Sequence, residues 1–116
     1  MNLNTLAQLE VAAVRADSHA VAEPELTDLR QAVPDWNIVD RGGMPALERT
    51  YRFKNFEQAL AFTNRVGALA EQAGHHPAIL TEWGRVTVTW WTHVIRNLHR
   101  NDFILAARTD QAYSGS

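Results

Sequence analysis

One long amphipathic segment with a stop signal at each end dictates what can surround it in this chain. Asn55 offers an N-cap oxygen with Gln58 three positions on, and Phe56, Leu60, Thr63, Val66, Ala70 and Ala73 then recur every three or four residues. Gly74 follows as a C-terminal cap, because glycine takes the left-handed backbone that ends a helix. The spacing predicts one central helix. On each side of it lies a pair of short alternating runs around a glycine turn. Trp36 to Asp40 and Leu47 to Phe53 flank Arg41-Gly42-Gly43-Met44-Pro45, with Leu47, Arg49, Tyr51 and Phe53 on one face. Ala78 to Thr81 and Arg85 to Trp91 flank Glu82-Trp83-Gly84, and Val86, Val88 and Trp90 face opposite to Thr87, Thr89 and Trp91. Both pairs read as hairpins.

A shorter helix is predicted from Leu26 through Val33, with Leu26, Leu29 and Val33 on one side and Pro34 closing it. Asn101-Asp102 heads a last helix through Phe103 to Arg108, its acidic residue suited to a helix N-terminus. The expected fold is α+β, ordered α-β-β-α-β-β-α: a four-stranded antiparallel sheet with three helices packed on one face. Residues 1–22, with Leu3, Leu6, Leu9 and Val14 at rough helical spacing, are expected to form an N-terminal extension that frays or docks, and residues 23–116 a single domain. The tail Tyr113-Ser114-Gly115-Ser116 is expected to fray.

With 116 residues and no cysteine, the core holds by packing, without disulfides, thiolate ligands or a cysteine nucleophile. A net charge of -2 argues against a broad nucleic-acid surface. The opening Met1-Asn2-Leu3-Asn4-Thr5-Leu6 has neither the basic start nor the apolar run of a secretory leader, and no stretch reaches a membrane span, so a cytoplasmic location is expected. A four-stranded sheet leaves two edges, and edge pairing between copies predicts a homo-oligomer.

The chemistry concentrates just past the central helix. Glu71 stands four residues before His75-His76-Pro77, and His93 follows seventeen residues after His76, so three of the chain's five histidines fall in one stretch. Imidazole exchanges protons near neutrality, with a pKa of about 6.5, and such a cluster points to acid–base work. Pro77 stiffens the loop and biases His76 toward extended backbone, so the adjacent imidazoles point to different sides. A helical His-x-x-x-His metal spacing is missing, and no metal is expected. Glu71 reads equally as a solvated helix residue, and Asp102 as a helix cap or as an orienter of a histidine. Trp83, Trp90 and Trp91 offer flat stacking surfaces or core; Trp90 shares the core face of Val86 and Val88. His19 and His99 lie outside the constellation and are expected to be solvated. Serine-nucleophile and phosphate-loop motifs are missing.

The pattern Glu71-x3-His75-His76-Pro77-x5-Trp83-x9-His93-x8-Asp102 resembles the signature of the pterin-4a-carbinolamine dehydratases. Phe53-Lys54-Asn55-Phe56, Ala61-Phe62, Thr87-Val88-Thr89 and Thr92-His93 fit as well, so the resemblance covers about residues 24–113. It looks closest to bacterial members that work beside phenylalanine hydroxylase, which share Leu80-Thr81-Glu82-Trp83-Gly84 and His99-Arg100-Asn101-Asp102-Phe103. The resemblance implies dehydration of a 4a-hydroxytetrahydropterin to the quinonoid dihydropterin, recycling the cofactor of aromatic amino acid hydroxylases without metal or organic cofactor. It implies a catalytic set of His75, His76 and His93, with His75 and His93 as acid–base groups and His76 holding the pterin. Glu71 and Asp102 support them, and Gly74, Trp91, Thr92 and Val94 join the histidines as substrate-binding residues. A homodimer or homotetramer is implied too. One departure stands out: Asn97 replaces a glycine common in the family, and asparagine's tolerance of left-handed backbone predicts that the turn survives. Relatives on this fold also serve as a dimerisation cofactor for a transcription factor or as Rubisco assembly chaperones, so a non-catalytic binding module is the alternative.

Overall fold

A computed structural model describes residues 1–114; of the tail expected to fray, Gly115 and Ser116 lie outside the described residues. The elements are α1 (Leu3–Ala7), α2 (Glu25–Ala32), β1 (Asn37–Arg41), β2 (Met44–Arg52), α3 (Phe56–Ala73), β3 (Ala78–Glu82), β4 (Arg85–Trp90), a 3-10 turn (His93–Ile95) and α4 (Arg100–Ser114). All four strands join one antiparallel sheet in the order β1-β2-β4-β3, which is the expected α+β arrangement with α1 added at the N-terminus.

Local chemistry places each element. Asn55 Oδ1 accepts the Gln58 N–H at 2.8 Å and starts α3 as read from the sequence. The first hairpin is tighter than expected: Arg41 pairs with Met44, and Gly42 and Gly43 make the turn alone, both at positive φ (58° and 87°), the backbone a two-residue turn demands. Leu47 pairs with Trp90 and Tyr51 with Val86 on one sheet face, and α3 and α4 cover it. Phe62, Val66, Val86, Val88, Trp90, Phe103 and Ile104 are fully buried between these layers. Burying side chains of this size contributes about 1.5–3 kcal/mol each before entropy is counted.

The buried face of α3 is rotated from the predicted stripe. Ala59, Phe62, Val66 and Ala70 point inward, while Phe56 and Leu60 remain 46% and 44% exposed. Toward its C-terminus α4 is ordered rather than frayed, with Tyr113 packed on Tyr51 and Phe53 at ring distances of 4.7 and 5.5 Å. Residues 1–22 dock: Leu6 is completely buried, and α1 packs along α4.

Candidate active site

The predicted constellation assembles where α3 ends and α4 begins. Gly74 adopts φ 64°, its N–H bonds back to Glu71, and the His75 N–H bonds to the Ala70 carbonyl at 3.2 Å. This Schellman closure fixes the His75 backbone to the end of a rigid helix. His75 then projects toward α4. Its Nε2 lies 2.8 Å from Asp102 Oδ1 and 3.1 Å from the Trp91 carbonyl oxygen. A carbonyl only accepts, so Nε2 carries the hydrogen, and Nδ1 is left as the nitrogen that can trade a proton. The imidazole also lies against Trp90, with ring centroids 5.9 Å apart.

Asp102 answers both sequence readings at once. Completely buried, it accepts His75 through Oδ1, while Oδ2 accepts the Thr92 hydroxyl at 2.7 Å and the His99 N–H at 2.9 Å. The last bond is the return half of a capping box, so a single carboxylate starts α4 and orients His75. The forward half comes from His99, whose Nδ1 accepts the Asn101 N–H at 3.0 Å. His99 is thus half-buried and structural rather than solvated; burial holds its pKa below the usual 6.5, opposed by Asp102 and reinforced by His75 and Arg100. The sequence placed no such role on it because its neighbours gave no periodic signal.

His76 points away, as alternation requires. Its Nε2 meets Glu71 Oε1 at 2.6 Å, both side chains in solvent, so the pair steers the ring while adding at most about 1 kcal/mol to stability. His93 begins the 3-10 turn after β4, beside a bridge in which Thr92 and Asn97 exchange backbone hydrogen bonds at 3.2 and 3.4 Å. The left-handed residue of that turn is Arg96 (φ 52°), not Asn97. Asn97 instead uses Oδ1 to accept the Leu98 N–H at 2.7 Å.

Gly74, His75, His76, Trp91, Thr92, His93 and Val94 all line one cavity of about 420 Å³, within the range that takes small ligands. Glu71 and Asp102 stand behind this lining, each against its histidine. Trp91 directly follows β4 with the Arg41 guanidinium 4.5 Å from its ring centre, and its indole N–H is buried without a partner among the described residues. Trp90 is core, donating to Thr109 at 3.2 Å. Trp83 is 74% exposed at the β3–β4 turn and does not reach the cavity, contrary to the stacking role considered for it. Sequence reasoning missed Val11, Ala12, Ala13, Val14 and Asn101, which complete the lining. A larger cavity of about 530 Å³ opens at the opposite ends of α3 and α4, among Arg52, Lys54, Arg65 and Tyr113, and among the described residues no histidine or acidic side chain lines it. Among the described residues, no three His, Cys, Asp or Glu converge as a metal-ligand set.

Residues 19–112 match the family described as pterin 4 alpha carbinolamine dehydratase, most of the chain. The chain belongs to the pterin-4a-carbinolamine dehydratase family. Two solved structures extend the comparison. A transcriptional coactivator/pterin dehydratase from Brucella melitensis is 29% identical, with a TM-score of 0.73 over 81% of this chain and 98% of its own. A pterin dehydratase-like protein identified as a RuBisCO assembly factor in the alpha-carboxysome is 25% identical, with a TM-score of 0.59 over 71% of this chain and 93% of its own. The dehydratase family match takes in every histidine of the cavity together with Glu71 and Asp102.

Proposed function

We propose that this chain is a hydro-lyase that dehydrates 4a-hydroxytetrahydrobiopterin, or a close pterin carbinolamine, to the quinonoid dihydropterin. The observation that carries the reading is His75 held through Nε2 by a fully buried carboxylate, with His76 and His93 on the same small-ligand cavity. The reaction needs little more than proton management. The hydroxyl on C4a leaves as water once an acid supplies a proton and the C4a–O electrons go to that oxygen, while the N5 electron pair closes the C4a=N5 double bond and the N5–H proton goes to a base or to water. Imidazoles serve both steps near neutral pH. In this reading His75 and His93 exchange the two protons and His76, steered by Glu71, holds the pterin. Gly74, Trp91, Thr92 and Val94 bound the ligand, and the reaction calls on no metal or organic cofactor.

The substrate is the product of an aromatic amino acid hydroxylase, so a functional link to phenylalanine hydroxylase and a cytoplasmic setting go with the proposal. So does assembly as a homodimer or homotetramer. The binding-module reading, suggested by the assembly-factor and coactivator relatives, gives no reason for a buried aspartate to hold a histidine at the mouth of a cavity. The test is ultraviolet-monitored decay of freshly generated 4a-hydroxytetrahydropterin. Wild-type protein is expected to accelerate it in proportion to enzyme added. No acceleration by folded protein would leave the binding module ahead.

A further inference from the structure

One wall of the cavity comes from chain that the family match does not cover. Val11, Ala12, Ala13 and Val14 line the same space as His75, His76 and His93, whereas the match begins at residue 19. These residues belong to no helix or strand, yet their course is fixed. Asn101, only 1% exposed, donates from Nδ2 to the Ala12 carbonyl at 2.8 Å and accepts the Ala12 N–H through Oδ1 at 3.0 Å. Both halves of its amide are spent on the backbone N–H and C=O of one residue, Ala12, a pairing that locks register as well as position. Upstream, the Arg108 guanidinium donates to the carbonyls of Ala7 and Leu9 at 3.0 and 2.7 Å, and Leu6 anchors α1 in the core. Asn101 precedes Asp102 in the first turn of α4, so adjacent residues hold the strap and His75 against the same ligand space.

We propose that residues 11–14 are a ligand-contacting wall that selects the substituent carried by the bound pterin, with Asn101 as the positioning residue. The identity of the ligand rests on the dehydratase reading. The wall's side chains carry no polar atom. A methyl or short alkyl group packs against them, while a hydroxylated chain placed there gives up water without gaining a side-chain partner. The selectivity therefore runs toward the less polar substituent.

The test uses the full chain and two readouts. In the first, hydrogen exchange is followed with and without 7,8-dihydrobiopterin, a pterin that cannot be dehydrated. Amides of residues 11–14 are expected to slow at least threefold together with those around His75 and Thr92. Protection around the histidines alone overturns the wall and leaves the pterin reading intact; protection nowhere overturns both. In the second, KM is measured for the 4a-hydroxy forms of 6-methyltetrahydropterin and tetrahydrobiopterin. Val14→Ser is expected to shift their KM ratio at least threefold toward the hydroxylated substrate. Asn101→Ala, which unpins the wall while keeping the backbone N–H that His99 Nδ1 accepts, is expected to raise both KM values severalfold while kcat changes less than twofold. An unchanged ratio in folded Val14→Ser protein contradicts the proposal.

Discussion

Asp102 shows how one residue ties folding to chemistry. Its two oxygens receive an imidazole N–H, a hydroxyl and a backbone N–H, all within the interior. Asp102→Asn exchanges one oxygen for a donor, which then faces a donor already there. The variant is expected to lose about 1–3 kcal/mol of stability, the cost of a buried polar group left unpaired. Its kcat is expected to fall about a hundredfold, as His75 loses its fixed tautomer; thermal melts beside initial rates check both. A neighbouring residue makes stability depend on pH. His99 is neutral-favouring in the folded state, so its contribution is complete above the unfolded value of 6.5 and is lost as pH falls through the lower folded pKa. The Tm is expected to drop between neutral and mildly acid pH. His99→Asn keeps a capping oxygen and removes the titration, so its melts across the same range should show a shallower slope. Asp102 was legible in sequence as a cap or an orienter; that it is both at once needed the fold, since the pairing spans separate elements.

At the scale of elements, α3 is governed by two caps with separable effects. Asn55 lies at the end remote from the histidines, and its side chain accepts the Gln58 N–H. Asn55→Ala is expected to cost about 1 kcal/mol of stability. Denaturant titration checks that figure, and kcat should not change. The caps, the glycine turns and the strand alternation could be read from sequence because each is a contact among residues a few positions apart. The face of α3 could not. Its apolar residues span more than one arc, and only packing against Tyr51 and Tyr113 selects Phe62 over Phe56. The strap over the cavity was equally hidden, because Ala12 and Asn101 are 89 positions apart and their bonds run between a side chain and backbone.

For the molecule as a whole, the sheet ends in β1 and β3, and the β3 edge exposes Leu80 at 57% beside the Trp83 turn. An open edge with apolar side chains invites a second copy. Light scattering after gel filtration is expected to give a dimer or tetramer mass rather than the 13.0 kDa of one chain. Leu80→Lys with Trp83→Lys is expected to shift the protein toward monomer, and a monomeric wild type would contradict this. In the proposed dehydration, His75 and His93 transfer the protons in the cavity where α3 ends and α4 begins. Its most direct test is the dehydration rate of purified 4a-hydroxytetrahydropterin with wild type, His75→Ala and the His75→Ala/His93→Ala double variant, each shown folded by circular dichroism. A fall of about a hundredfold or more is expected in the single variant and a return to the uncatalysed rate in the double. Full wild-type turnover in the double variant would contradict it.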